Sequence, residues 1–147
     1  MNDTAVTEQT HESTAPHWTF SVLHAAHLIE DRIEEALGKV GLSMAKHGAL
    51  VELAQAGEPL TLSQLAARLS CVRSNMTQLI DRLEADGFVK RLDDPTDRRS
   101  IRAELTDLGK EKYVAGNKAV KRVQGEFAAS LTSKERAALE GALGALR

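Results

Sequence analysis

The chain has 147 residues, of which 42% are apolar and 27% are charged, and its formal net charge is −2. This length and composition suit one domain whose hydrophobic core needs neither metal nor disulfide, and they exclude two independent domains of ordinary size. The single cysteine excludes an internal disulfide, and neither a secretory signal nor a membrane-spanning apolar run is present, so we expect a cytoplasmic protein with no membrane contact.

The first predicted element is a long amphipathic helix. Residues 1–16 are polar and aperiodic, and we expect them to form a disordered tail. From His17 to about residue 41, apolar side chains recur every three or four positions, which is the period of a helix. Three further apolar residues lie off this stripe, namely Phe20, Leu23 and Leu28. The helix therefore carries more apolar surface than one side of a monomer would bury, which indicates a helical dimer interface.

Two shorter helices are predicted next from their capping residues. Residues 44–56 form one helix, with Ser43 as the N-cap and Gly57 as the C-terminal stop. Thr61 followed by Gln64 is the pattern of a capping box, which opens a second, shorter helix with its leucines facing inward.

A tight turn at residues 70–72 leads into a helix from about Arg73 to Asp86, and Gly87 ends it. The face predicted to be buried consists of Met76, Leu79, Ile80 and Leu83. The exposed positions are Arg73, Ser74, Asn75, Thr77, Gln78, Asp81 and Arg82. Because Arg can bond guanine bidentately, and Asn or Gln can bond adenine, the exposed face carries base-reading side chains. The alternative is an ordinary solvated helix face.

After this helix the apolar period changes from 3.6 to 2 residues. Residues 88–92 and 100–105 are predicted strands, joined by a polar, turn-forming loop. Thr106 caps a further long helix, and Thr132 with Glu135 forms a second capping box that opens the last helix. The predicted fold is mainly α with a small β-hairpin: a winged helix-turn-helix lobe plus a helical dimerisation region.

The predicted lobe is basic although the whole chain is slightly acidic. Eight basic and six acidic residues lie between Arg68 and Arg102, a net charge of +2, whereas the remainder of the chain carries −4. Long cations at the hairpin tip, Arg98 and Arg99, can reach a phosphate or enter a narrow minor groove, and Asp97 can orient one guanidinium. The alternative is a charged hairpin tip that serves solubility.

Four groups of residues together form a specific pattern: Leu60-Thr61 with Leu65-Ala66, the helix from Arg73 through Leu83-Glu84-Ala85-Asp86-Gly87-Phe88-Val89, the loop Asp94-Pro95-Thr96-Asp97-Arg98-Arg99, and Leu105-Thr106-Asp107-Leu108-Gly109. In these residues the chain resembles the MarR family of multiple-antibiotic-resistance-type regulators. The resemblance implies an obligate homodimer on duplex DNA, with residues 17–41 and 107–147 as dimerisation helices and residues 44–106 as the DNA-binding lobe.

The resemblance also implies roles for single residues. Arg99 enters the minor groove and Asp97 positions it, while Arg73, Ser74, Asn75, Thr77 and Gln78 face the major groove. Arg82 and Arg98 are added from the charge pattern. The candidate DNA-binding residues are therefore Arg73, Ser74, Asn75, Thr77, Gln78, Arg82, Asp97, Arg98 and Arg99. The family further implies a small aromatic or phenolic effector, bound in a crevice between the dimerisation helices and the lobe. The candidates for that crevice are Trp18, His24, His27 and His47.

Two alternatives concern sensing. The three histidines could bind Zn²⁺ with Glu30 or Asp31, or they could line a partly polar surface. Cys71 lies near a helix N-terminus and Arg73, which can lower the pKa of a thiol, but a lone cysteine at a turn is more often packed than reactive.

No catalytic motif or phosphate-binding loop is present, so we expect no enzymatic activity, no catalytic residue, no cofactor and no bound metal. The sequence predicts a DNA-binding transcriptional regulator, a repressor that binds a palindromic operator as a homodimer and is released by a small effector. The alternatives are a thiol-redox or zinc-responsive regulator of the same fold, and a winged helix used only for protein contacts.

Overall fold

The computed structural model describes the backbone of residues 15–70 and 73–145, and the side chains of residues 17–70 and 75–145. The described helices and strands are, in chain order, α1 (Ala15–Gly38), α2 (Met44–Ala56), β1 (Leu60–Thr61), α3 (Leu62–Arg68), α4 (Arg73–Ala85), β2 (Val89–Asp93), β3 (Ile101–Leu105), α5 (Asp107–Ala129) and α6 (Ser133–Gly144). This mainly helical architecture with a small sheet confirms the predicted fold class. The predicted disordered tail at 1–16 falls mostly outside the described residues, and α1 already includes its last two positions.

The chain divides into two compact units, one ending at Asp31 and the other beginning at Arg32. In the first unit α1 is solvent-exposed, and its large apolar side chains include Trp18 at 71% and Phe20 at 72% exposure. None of the helices that the structure describes is long and apolar enough to cross a membrane.

The second unit is built around one hydrophobic core. Its largest fully buried side chains are Leu37, Leu50, Leu60, Leu65, Met76, Ile80, Leu83 and Val89. They come from the end of α1 and from every element between α2 and β2. Burial of a leucine or isoleucine side chain contributes roughly 1.5–3 kcal/mol, so this shared core holds α2, α3 and α4 in one rigid arrangement.

The capping residues set the helix boundaries as predicted. Ser43 accepts a hydrogen bond from the Lys46 N–H, and Thr106 accepts one from the Gly109 N–H at 3.0 Å. Both predicted capping boxes are present, one opening α3 and one opening α6. Each cap satisfies backbone donors that the first helical turn would otherwise leave unpaired.

The sheet has three antiparallel strands in the order β1-β3-β2, one more than predicted. The hairpin pairs Val89 with Leu105 at its base, and the added strand β1 pairs Leu60 with Ala103. A strand of two residues has no detectable period of its own. Its existence depends on the central strand β3, which is distant in the chain.

Helix α5 packs closely against the base of the hairpin at Gly109. A Cβ atom at this position would lie 1.9 Å from the carbonyl oxygen of Phe88, so only glycine allows the approach. The Phe88 carbonyl accepts the Thr106 N–H at 3.1 Å, and the Thr106 hydroxyl donates to the Gly87 carbonyl at 2.6 Å. These contacts fix where the hairpin leaves the body of the lobe.

Candidate nucleic-acid interface

Helix α4 presents one buried face and one polar face, as predicted. Met76, Ile80 and Leu83 are completely buried in the core. The described side chains on the opposite face are exposed, namely Asn75, Thr77, Gln78, Asp81 and Arg82. Because the buried face anchors the helix, the polar face is held at the surface in a fixed orientation.

Part of the predicted base-reading set lies outside what the structure describes. The backbone of Arg73 and Ser74 belongs to the first turn of α4, but their side chains are not among the described ones. Cys71, in the turn before α4, is also outside the described residues, so the two interpretations of this cysteine remain untested.

The hairpin loop is organised around a buried carboxylate that the sequence analysis did not single out. Asp94 is only 7% exposed, and its Oδ1 accepts hydrogen bonds from the N–H and the hydroxyl of Thr96 at 2.9 and 2.8 Å. The Arg102 guanidinium lies within 3.3 Å of both carboxylate oxygens of Asp94. The Thr96 hydrogen bonds, with Arg102, lower the pKa of Asp94 to about 2. The Asp–Pro sequence at the start of the loop was the available signal, since Asp side chains commonly bond the backbone two residues on.

The tip of the loop carries the predicted arginines. Arg98 and Arg99 are exposed, as is Asp97. We predicted that the Asp97 carboxylate orients the Arg99 guanidinium. The contact in the structure is to the backbone instead, since Asp97 Oδ1 accepts the Arg99 N–H at 2.9 Å. Asp97 therefore shapes the turn from which the Arg99 side chain projects.

Helix α4 and the hairpin meet at one cleft of about 280 Å³. Thr77 lines it from α4, Arg91 from β2, and Arg99 from the loop. The polar face of α4 and the loop arginine are thus on the same side of the lobe, although Thr77 and Arg99 are 22 positions apart in the sequence.

Ion pairing divides the basic residues of the lobe into two groups. Arg68 pairs with Glu52, Lys90 with Glu104, and Arg102 with Asp94, while Arg91 pairs with both Asp81 and Glu84. Among the described basic side chains between 68 and 102, those without an acidic partner are Arg82, Arg98 and Arg99. These three are exposed, and a cation that no carboxylate neutralises is the kind that attracts a polyanion.

The candidate effector residues occupy two different settings. Trp18, His24 and His27 are exposed on α1, where His27 Nδ1 lies 2.8 Å from the Leu23 carbonyl oxygen. His47 is half-buried on α2, and its Nε2 lies 3.0 Å from Oδ1 of Asn117 on α5.

His47 also packs against the α5 backbone. A Cβ atom at Gly116 would lie 2.4 Å from its ring. In the part of the chain that the structure describes, no three His, Cys, Asp or Glu residues form a group that could hold a metal ion.

An open cavity of about 470 Å³ lies between α2, the end of β3 and the start of α5. Its walls are mainly apolar and are formed by Leu53, Ala54, Leu105, Tyr113 and Val114, with Gly57, Glu58, Glu104 and Lys110 completing the lining. The size and chemistry are those of a small-molecule pocket. We expected a crevice between the dimerisation helices and the lobe, but none of the four candidate residues, Trp18, His24, His27 and His47, lines this cavity. Its lining residues come from three separate elements, so local sequence patterns did not identify them.

Comparison with known proteins identifies relatives of the lobe. Residues 42–101 match the model of the MarR family. Over 63 residues the chain is 46% identical to the uncharacterized HTH-type transcriptional regulator YkoM of Bacillus subtilis, a match that covers 43% of this chain and 41% of YkoM. The chain spans about half the length of the curated relatives it matches.

Two solved structures extend the similarity to the fold as a whole. AbsC, a MarR family transcriptional regulator from Streptomyces coelicolor, is 25% identical with a TM-score of 0.77, and the match covers 92% of this chain and 93% of AbsC. A mutant MarR from Escherichia coli, solved in complex with operator DNA, has a TM-score of 0.73 over 91% of this chain and 99% of that one. At 24% identity, the second likeness shows the fold alone.

Proposed function

Because residues 42–101 match the model of the MarR family, we propose that this chain is a DNA-binding transcriptional regulator that acts as a homodimer. The observation that carries the proposal is the placement of Arg82, Arg98 and Arg99. Arg82 lies on the polar face of α4, Arg99 lines the cleft that this helix shares with the loop, and Arg98 is its exposed neighbour in the loop. The operator complex of the Escherichia coli relative adds support from the fold.

In the proposed complex α4 lies in the major groove, where Asn75 and Gln78 contact base edges with Arg73, Ser74 and Thr77. Bidentate contacts of Asn and Gln to adenine discriminate between base pairs by about 1–3 kcal/mol each. The loop crosses the backbone, so that Arg99 enters the minor groove. Asp97 contributes by shaping the turn that carries Arg99.

We propose residues 17–41 and 107–147 as the dimerisation helices around the lobe of 44–106. The exposed apolar side chains of α1, α5 and α6 support this assignment, and they include Trp18, Leu23, Val114, Leu139 and Leu143. Large exposed apolar patches are rare on monomeric proteins and mark interaction surfaces. A twofold dimer places two α4 helices about one turn of DNA apart, so the operator is an imperfect palindrome with half-site centres roughly 10 bp apart.

The proposed regulator is a repressor released by a small aromatic or phenolic effector. The cavity beside Tyr113 supports a site for such a molecule, since it adjoins both α5 and β3, the strand that leads out of the hairpin loop. Trp18, His24, His27 and His47, the effector candidates from the sequence, do not line this cavity and stay a separate prediction. A ligand wedged between α5 and β3 would displace the hairpin and weaken DNA binding.

Footprinting on DNA from the chain's own promoter region tests the proposal. We expect protection of a palindrome at one dimer per site, with an affinity that falls steeply as salt rises. Protection of a single asymmetric half-site would contradict the dimeric architecture. Binding to no sequence, even at low salt, would favour a winged helix used for protein contacts.

An effector screen against the DNA complex tests release. A phenolic compound that dissociates the complex should lose its effect in Tyr113→Ala, while that variant binds DNA like the parent. Equal release of the parent and the variant would place the effector elsewhere.

A further inference from the structure

We propose that Arg91 is a positioning residue for DNA binding, which holds the hairpin against α4 through Asp81 and Glu84. In this arrangement Arg91 touches no DNA; it sets the separation between the base-reading face of α4 and the arginines of the loop. The inference rests on the proposed function.

Arg91 joins strand β2 to helix α4 through two ion pairs, one with Asp81 and one with Glu84, and we call these two pairs the clamp. Arg91 lies in the middle of β2, paired with Ala103 of β3. Its Nη1 donates to Glu84 Oε2 at 2.5 Å, and its Nη2 donates to Asp81 Oδ1. Because Asp81 and Glu84 are three positions apart, both side chains lie on the same side of α4. Two nitrogens of one planar guanidinium bound to two carboxylates restrict rotation as well as distance.

Charge and burial indicate that Arg91 serves α4 rather than DNA. Its side chain is 26% exposed, and two carboxylates neutralise its charge. The hydrogen bond to Asp81, with the charge of Glu84, raises the pKa of Arg91. Glu84 lies in the last turn of α4, where the helix dipole disfavours a carboxylate, so a cation at this point stabilises the helix end.

The presence of Asp81 on this surface needs an explanation. It is 56% exposed and lies on the polar face of α4, where its charge would repel phosphates. A carboxylate here is unfavourable for direct DNA binding. Its contact with Arg91 gives it another role, which is to hold the hairpin against α4.

The contacts of Arg91 with α4 also constrain the loop arginines, because the loop follows β2 directly and is bonded to β3. Strand β2 ends at Asp93, and the next residue is the buried Asp94, whose bonds to Thr96 and Arg102 tie the loop to β3. Holding β2 at Arg91 therefore also holds the loop that carries Arg99. Arg91 itself lines the cleft together with Thr77 and Arg99.

The decisive test exploits the sign of a charge change. The double variant Asp81→Asn/Glu84→Gln removes two negative charges from the DNA-binding lobe, so long-range electrostatics predicts tighter operator binding. Loss of the clamp predicts weaker binding, by about tenfold for a dimer that loses two such pairs per subunit. Unchanged or tighter binding by the folded double variant would overturn the proposal.

Arg91→Gln supplies the complementary test, with Lys90→Gln as its matched control. Both variants remove one cation from β2, but the ion pair of Lys90 is with Glu104 on the neighbouring strand β3, whereas those of Arg91 are with α4. We expect Arg91→Gln to weaken binding several-fold more than Lys90→Gln, with Arg91→Lys restoring part of the loss. Equal effects of Arg91→Gln and Lys90→Gln would show that Arg91 acts only through its positive charge, and this result would overturn the proposal.

Groove-specific footprints separate positioning from simple destabilisation. Hydroxyl-radical protection in the minor groove should weaken in Arg91→Gln, while protection of guanine N7 in the major groove persists at saturating protein. A variant that merely unfolds more easily would lose both protections together, and that result would also overturn the inference. The parent protein is tested first, because its failure to bind any operator refutes the proposed function itself, whereas the variants address only the clamp.

Discussion

Replacing Arg99 by alanine tests the role of the hairpin in DNA binding most directly. The size of the expected effect follows from the number of arginines that have no acidic partner. Three described arginines of the lobe have no acidic partner, so a dimer presents six such cations. If each displaces one counterion from DNA, the logarithm of the binding constant falls with the logarithm of salt concentration with a slope of about −5 from these residues. Arg99→Ala removes one cation per subunit and should reduce that slope by about 2.

The same relation gives the loss of affinity. Extrapolated from 1 M salt, a slope change of about 1.8, from about 0.9 for each of the two cations, corresponds to a loss of about 30-fold at roughly 0.15 M salt. The measurement is a titration of labelled operator by fluorescence anisotropy at several salt concentrations, with circular dichroism to establish that the variant is folded. The rank order of operators should be retained in Arg99→Ala and altered in Gln78→Ala, because of these two residues only Gln78 belongs to the proposed base-reading face.

Arg122→Ala is the control for net charge. Arg122 lies on α5 and pairs with Glu126 at 2.8 Å, so its removal changes the charge of the chain equally without touching the lobe. We expect the slope of this variant to match that of the parent. If Arg99→Ala also matched the parent in slope and in affinity near physiological salt, the hairpin would be a solvated loop and our account of the interface would be refuted.

Three further predictions concern stability and assembly. Gly109→Ala should lower the free energy of unfolding by about 1–3 kcal/mol or more, because its Cβ would meet the Phe88 carbonyl oxygen; a denaturant midpoint equal to the parent's would contradict this packing. The pKa of Asp94 falls from 3.8 to about 2 on folding, so its contribution to stability is present above about pH 4 and is lost as pH falls towards 2. In Asp94→Asn the free energy of unfolding should therefore fall less steeply than in the parent as pH is lowered from about 4 towards 2. An unchanged pH dependence would show that another carboxyl group causes the loss of stability. Leu143→Asp should shift sedimentation towards a monomer without unfolding the lobe, since this side chain is 46% exposed in the single chain; a stable dimer would exclude this part of α6 from the interface.

Most of the helical architecture could be predicted because its signals are local. The caps at Ser43, Thr61, Thr106 and Thr132 each bond a backbone N–H three positions away, so the sequence contains both partners of the interaction within one turn. The buried face of α4 followed from helical spacing alone. The MarR pattern in the lobe was recognisable for the same reason, since its residues lie in a few continuous segments.

Only the tertiary structure decided which basic residues of the lobe are paired with acidic residues and which have no acidic partner. By sequence Arg91 and Arg99 are both arginines of the hairpin, yet the fold neutralises the first with Asp81 and Glu84 and leaves the second unpaired. Burial of Asp94, formation of β1 and the cavity beside Tyr113 likewise depend on contacts between separate elements. Ion pairing and burial act through distance in space, which local sequence spacing does not specify. The sequence could therefore determine where the helices and the basic segment lie, while the packing of α4 against the hairpin determined which of its cations are paired with carboxylates.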